Sequence, residues 1–399
     1  MSLRSRLREL ELATRPEPPE LEAALARRWE ELPAQVKTPE QMLGRRTAGC
    51  EGTHGVFPRC DLACTPCYHS REANRVRTDG DHTAREVDRQ MGLLRTLRGP
   101  GQNAQLIGGE VTLLGPEDHA RALQAMYRHG RKPMSMTHGD FDYPYLEALA
   151  LDPASGEPRF SHLSFAGHFD SMMFGRRGLK RARREADLHP FRERFCAMFQ
   201  RLEREHGVTS YLAHNMTVTP RNLGEVAEVV RECRDMGYRM FSFQPAAHLG
   251  NANRWREDFL MAFGGMDFAA GPPALRAARV ARAFARHPRA LPGLGGWARR
   301  ALRRAGGAAA VARHRPRAVT YVMHSFMDAR AVRPAWEALR TGEEPDHPAV
   351  REAWERLQAC SYTMAHAESG ELVPACAQHS VLDPEENLRL QHELSLAST

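Results

Sequence analysis

The chain is poor in cysteine, in long apolar runs and in anything resembling a leader, and each shortage excludes a class. Eight cysteines in 399 residues are too few for a disulfide scaffold. No window approaches about 18 uninterrupted apolar residues, so no transmembrane helix is expected. Met1-Ser-Leu-Arg-Ser-Arg-Leu-Arg carries charge without an apolar stretch behind it, so it does not read as a signal peptide. The formal net charge of +7 is modest for this length and does not by itself call for nucleic acid. What remains is a globular chain expected in the cytoplasm, where clustered thiols are better read as metal ligands. Its 42% hydrophobic content suffices for one large core and a smaller appended unit.

Three of the eight cysteines are clustered. Cys60-Asp-Leu-Ala-Cys64-Thr-Pro-Cys67 has a CxxxCxxC spacing, one ligand short of the usual four-ligand zinc or iron–sulfur site. Such a cluster is a structural zinc site, a set of unrelated buried thiols, or a centre whose open position serves chemistry. Cys196 and Cys233 fall in helical patterns and read as small core residues.

Pro18-Pro19 precede an amphipathic run, 21–29, that predicts a helical lead-in within residues 1–49. From 50 to 250, β-prone runs near 55–58, 104–107, 133–137, 162–165, 210–218 and 240–244 alternate with helical patterns at 83–97, 116–129, 143–151, 190–206 and 222–236. Six such units predict an α/β fold with parallel βα crossovers, curling toward a partial (β/α)6 barrel. Functional residues then belong at the C-terminal ends of the strands, where the cysteine cluster already sits.

Residues 251–318 change texture to Gly, Pro, Ala and Arg. Arg276, Arg279, Arg282, Arg286 and Arg289 share one helical face, either a solvated surface or a groove for an anionic substrate or headgroup. The last unit, 319–399, reads as a strand at 320–323, a helix at 350–358 and a hairpin from Cys360 to Cys376 turning at Ser369-Gly370.

The second strand ends in Gly108-Gly109-Glu110, where glycines let a ligand approach the backbone closely and a glutamate can accept hydrogen bonds from an ammonium group. CxxxCxxC followed one βα unit later by Gly-Gly-Glu resembles the radical S-adenosylmethionine (SAM) superfamily. The resemblance implies a 4Fe–4S cluster on Cys60, Cys64 and Cys67 whose fourth iron is chelated by SAM. It implies that the Gly108–Glu110 loop grips the SAM amino group, and that reduction yields a 5′-deoxyadenosyl radical that takes a hydrogen atom from substrate. The family's aromatic residue before the third cysteine is Pro66 here, which passes the adenine contact to Tyr68. Asn215 and Gln244, at the fifth and sixth strand ends, are the preferred further SAM contacts. Ser164, His168 and His214 are also candidates, and His138 and Asp140 are placed toward substrate. A low-potential electron donor such as ferredoxin or flavodoxin is implied as partner.

The Cys360–Cys376 hairpin resembles the auxiliary-cluster hairpin of SPASM or twitch extensions, with one extra residue between Gly370 and Cys376. Cys50 and His379 are the candidates to complete such a site. With Met323-His324-Ser-Phe-Met-Asp328 and Phe243-Gln244-Pro245, the chain looks like the branch of tetraether lipid synthases and pterin-modifying methylases. That branch implies a lipid or isoprenoid-like substrate and peripheral membrane contact. Peptide maturation, pterin-like methylation and a non-catalytic metal- or RNA-binding module stay open as alternatives.

Overall fold

Helical spacing decides the outer layer. Residues Gly80–Arg98 bury Thr83, Val87, Gln90, Met91 and Leu94, one stripe of a helix. Asp79 starts that helix by accepting a hydrogen bond from the His82 amide at 2.9 Å. The computed structural model describes residues 19–34, 37, 51–64, 67, 71–100, 103–245, 320–324, 326–360 and 362–396. Cys50, Tyr68 and the arginine-rich segment lie outside the described residues. By compactness the chain divides into Met1–Gly265 with Val322–Thr399, and Met266–Tyr321.

The helices are α1 (Pro19–Glu30), α2 (Gly80–Arg98), α3 (Pro116–Arg128), α4 (Tyr143–Ala150), α5 (His189–His206), α6 (Val226–Met236), α7 (Ala329–Thr341), α8 (Pro348–Gln358) and α9 (Asp383–Glu393). The strands are β1 (Glu51–Gly52), β2 (Ala63–Cys64), β3 (Asn103–Leu106), β4 (Lys132–Thr137), β5 (His162–His168), β6 (Met173–Arg176), β7 (Leu179–Arg181), β8 (Thr209–Val218), β9 (Met240–Pro245), β10 (Thr320–Met323), β11 (Thr363–His366) and β12 (Glu371–Pro374). The main sheet has the order β10-β9-β8-β5-β4-β3-β1-β11-β12. Its six strands β1, β3, β4, β5, β8 and β9 lie in chain order, and each neighbouring pair is parallel. This is the expected α/β fold with (β/α)6 order.

The sheet curls. Laid flat, β10 and β11 would be seven spacings apart, about 34 Å at the usual strand separation. Yet the rings of His324, just past β10, and Tyr362, just before β11, have centroids 6.0 Å apart. The C-terminal strands therefore bridge the gap between the sixth and first strands of a partial barrel. The far end of the chain is fastened to the same region: His54 Nδ1 meets Glu386 Oε1 of α9 at 2.8 Å, and the His54 ring stacks on His366 at 4.1 Å.

Two expectations are corrected. The first strand is Glu51–Gly52, not 55–58. Beyond it the Thr53 hydroxyl replaces the backbone ladder, donating to the Ile107 carbonyl and receiving the Ile107 amide, and Gly55 turns the chain away at φ +63°. A second, three-stranded antiparallel sheet β2-β6-β7 was not expected at all.

Between sheet and helices lies an aromatic core. Phe165 packs on Phe199 at 5.0 Å, and Phe199 on Phe195 at 5.1 Å. Buried beside Phe165, His119 bonds Ser135 Oγ at 2.8 Å and Tyr145 Oη at 3.1 Å. Burial pulls its pKa down to about 3, so the folded chain holds it neutral. The unfolded chain takes up a proton below about pH 6.5, so stability is full above that pH and falls as the pH drops toward the folded value. His119→Gln should therefore flatten the acid dependence. Urea unfolding at pH 7 and pH 5 should show a loss about 2 kcal/mol smaller in the variant; an unchanged loss would place the acid sensitivity elsewhere.

Candidate functional site

The site is built where the loops after β1, β3 and β4 meet. Glu110, only 1% exposed, is its anchor. Its Oε1 accepts from the Thr112 amide at 3.0 Å, the Thr112 hydroxyl at 2.6 Å and the Thr137 hydroxyl at 2.7 Å. Its Oε2 accepts from the His138 amide at 2.7 Å. The carboxylate expected to receive an ammonium group is thus occupied by the protein itself, capping the short helix Val111–Leu113 and tying two loops together.

The two glycines serve the same joint. Gly109 donates to the Phe57 carbonyl and Glu110 to the Arg59 carbonyl, each at 2.8 Å. A Cβ on Gly109 would stand 2.1 Å from the Arg59 oxygen and 2.3 Å from that of Pro58; one on Gly108 would strike the Phe57 ring at 2.6 Å. Glycine is required here because the segment leading into Cys60 lies directly against the loop. The close approach that Gly109 permits here is made by the chain's own backbone.

The cysteine loop is then held from two further sides. The Cys60 amide donates to Asn74 Oδ1 at 2.9 Å. Ala63–Cys64 pair antiparallel with β6, Cys64 opposite Met173. Burial foremost, with Glu110, Asp61 and Cys67 adding to it, pushes the Cys60 thiol up to about 12. Burial also raises Cys64, helped by Cys67, Asp170 and Cys60. The three thiols are close enough to feel one another's charge, and Cys60 and Cys64 would give up their protons only to a compensating cation. Cys60, Asp61 and His138 also bring ligand atoms within 4.8 Å of one another, with His138 Nε2 on Asp61 Oδ1 at 2.7 Å. Burial alone would lower the His138 pKa, but Glu110 and Asp61 outweigh it and raise it.

Strand pleating sorts the remaining candidates. On β8, His214 faces the helices and takes a hydrogen bond from Arg192 Nε of α5 at 3.0 Å. Burial first, and Arg192 after it, keep that imidazole neutral. Asn215 therefore faces the barrel interior, where its Oδ1 has no hydrogen-bond partner among the described residues. On β9, Phe241 and Phe243 take the helix side, leaving Ser242 and Gln244 inward. Gln244 Nε2 donates to Ser242 Oγ at 3.1 Å while its Oε1 is unpartnered. On β5, Ser164 and His168 are inward. Ser164 Oγ lies 3.3 Å from His162 Nε2, and His168 Nε2 reaches Asp170 Oδ2 at 2.6 Å. Asp140 is not directed at the interior as expected: its carboxylate binds the Arg177 amide at 2.9 Å and Arg194 Nη2 at 3.1 Å.

One residue was missed in the sequence. Arg176, on β6 and 3% exposed, donates through Nη2 to the His138 carbonyl at 2.8 Å and lies over the Phe169 ring at 4.8 Å. Its Nε and Nη1 are buried without a partner. Burial lowers its pKa, as for a guanidinium short of counter-charge. The signal was in the sequence as a basic run, 176–184, but nothing local showed which of its arginines turns inward.

The auxiliary site meets a pair of thiols rather than a full set. Cys360 Sγ donates to the Tyr362 carbonyl at 3.2 Å, and Cys376 sits in an apolar cluster with Met327, Val332 and Leu357. Among the described residues no third ligating side chain joins them. His379 instead lines a cavity with Thr53, Ile107 and Gly108, its Nδ1 held by Asp383 Oδ2 at 2.6 Å.

No protein-family profile matches the chain, and no curated protein matches it. Among solved structures it is similar to Streptococcus suis SuiB bound to S-adenosylmethionine, at 13% identity and a TM-score of 0.40 over 84% of this chain. The chain spans 61% of the length of SuiB. It is also similar to anSMEcpe with bound AdoMet, at 16% identity and a TM-score of 0.35 over 53% of this chain and 62% of that one. A third similarity is to TYW1 with a lysine-pyruvate adduct, at 11% identity and a TM-score of 0.33 over 58% and 75% of the two chains.

The packing of Gly109 is directly testable. Gly109→Ala should push the Pro58–Arg59 backbone away and cut metal retention by the cysteine loop at least tenfold, with circular dichroism unchanged. Metal content per chain measures this, and full retention would mean that the joint does not set the thiol geometry.

Proposed function

We propose that the chain is a radical SAM enzyme, with Cys60, Cys64 and Cys67 holding a 4Fe–4S cluster and SAM bound beside it. The observation that carries this reading is a set of unpartnered buried groups, Arg176 beside the thiol loop and Asn215 and Gln244 on the inner face of the sheet. Arg176 offers two vacant N–H groups, which suit a carboxylate. Asn215 Oδ1 and Gln244 Oε1 are vacant acceptors on the inner face, which suit the hydroxyls of a ribose or the amino group of an adenine. Because the Glu110 carboxylate is already engaged, the amino group of SAM falls to the backbone of Gly108, Gly109 and Glu110. Tyr68 keeps its proposed place against adenine. A three-thiol site leaves one iron position for that amino acid moiety, so the donor set fits the group.

Bound together, the cluster and SAM supply a primary carbon radical able to abstract hydrogen from an unactivated C–H bond. The chain's part is to orient and to exclude water. Arg176 and the glycine loop fix the two charged ends of the amino acid moiety, and β10 and β11 cover the open side of the barrel, keeping stray hydrogen donors out. A lipid or isoprenoid-like substrate is the favoured class; its support is the resemblance of residues 323–328 and 243–245 to the tetraether synthase branch. An auxiliary cluster at Cys360 and Cys376 would need further ligands, for which Cys50 and His379 are the candidates.

Anaerobic reconstitution tests the proposal. The wild-type chain should take up about four irons, as the cluster type requires, and release 5′-deoxyadenosine from SAM under dithionite; Cys64→Ala should do neither. Arg176→Gln should keep the iron but weaken SAM binding at least tenfold by calorimetry, roughly the 1.5–3 kcal/mol of a hydrogen bond to a charged group. Tight zinc with no SAM cleavage would make this a structural metal site.

A further inference from the structure

The hairpin that braces Cys64 carries a second feature. Residues 176–184 contain six basic side chains and no acidic one. Arg176 turns inward, whereas Arg177, Lys180, Arg181, Arg183 and Arg184 are exposed. Arg177 is held to Asp140, its Nη2 donating to the backbone carbonyl at 2.8 Å. Among the described residues no carboxylate forms an ion pair with Lys180, Arg181, Arg183 or Arg184. The nearby Asp187 spends its Oδ2 on the Arg183 and Arg184 amides, at 2.8 and 3.1 Å. Exposed Arg59 precedes Cys60 and adds a further cation on the same loop, and Cys67 is itself exposed.

A basic surface is often only a solvated face, but this one is hydrogen-bonded to the thiol loop. Strand β6 pairs with Ala63–Cys64 on one side and with β7 on the other. The cations are thereby fixed at the edge of the cysteine site, and a partner seated on them would stand next to it. On the reading above, each reaction cycle draws one electron from outside the chain, which the donor loses and the cluster gains. We infer that the exposed face of the 173–184 hairpin is the docking surface for an acidic one-electron donor protein. Four cations without a carboxylate partner among the described residues, on β7 and the turn that follows it, steer an oppositely charged partner and raise its rate of encounter. This rests on the thiol loop holding a redox centre, and a small reductant that needs no docking separates the two claims.

The test uses the full reconstituted chain, reduced either by dithionite or by an acidic flavodoxin as probe. Lys180→Glu/Arg181→Glu/Arg183→Glu should lower flavodoxin-driven SAM cleavage at least tenfold at low salt and leave the dithionite-driven rate within about twofold, since reversed rim charges act on encounter. High salt should erase most of the wild-type advantage, as screening requires. The milder pair Lys180→Glu/Arg184→Glu covers a triple variant that fails to fold. An unchanged flavodoxin-driven rate, or equal losses with both reductants, would overturn the docking surface. Loss of heparin retention alone, with flavodoxin-driven turnover intact, would overturn it in favour of a nucleic-acid face. If dithionite drives no cleavage in the wild type, the enzyme reading fails, and direct flavodoxin association by interferometry still decides the surface by its loss in the variants.

Discussion

One buried carboxylate organises the candidate site. Glu110 has no exposed function; its two oxygens take four hydrogen bonds from Thr112, Thr137 and His138, while its amide holds the carbonyl of Arg59. A buried acceptor left with such donors is well satisfied, and removing it would strand several of them at once. The loops after the first, second and third strands are thereby locked at one place. That lock adds to the contacts Cys60 and His138 make with Asn74 and Asp61.

Around this joint the structure spends polar groups unevenly. Some are fully matched, such as Asp170, which receives His168 and the amides of Met172 and Thr217. Others are buried without a hydrogen-bond partner among the described residues, including two nitrogens of Arg176 and one oxygen each of Asn215 and Gln244. Folded proteins rarely bury such groups unpaired. Similar atoms of His189, His214 and Trp354 lie in the helix layer; those of Arg176, Asn215 and Gln244 differ in lying beside the thiol loop or on the inner face of the sheet.

Much of this is legible in the sequence. The CxxxCxxC spacing, the Gly-Gly-Glu loop and the βα alternation each rest on local pattern, and the first two lie at the same end of the sheet. Asn215 and Gln244 were legible as polar residues near strand ends, but His214 beside Asn215 was not separable from it until the pleat was known. Arg176 was hidden, because Met-Phe-Gly-Arg has little strand character and its partner strand is the two-residue Ala63–Cys64. The role of Glu110 was misread for a related reason: a motif shows which residue is there, not which distant loop it will bond.

The sequence alone determined the thiol spacing, the order of the six parallel strands and the helical faces that cover them, since these follow from short-range periodicity and residue type. Only the tertiary structure decided that the glycines make room for the backbone before Cys60, that β10 and β11 close the open side, and that one arginine of a basic run turns inward while its neighbours face outward. Those outcomes depend on contacts between segments tens to hundreds of residues apart. Pairing across such separations is set by packing and hydrogen-bond satisfaction of the whole fold, which no local window contains.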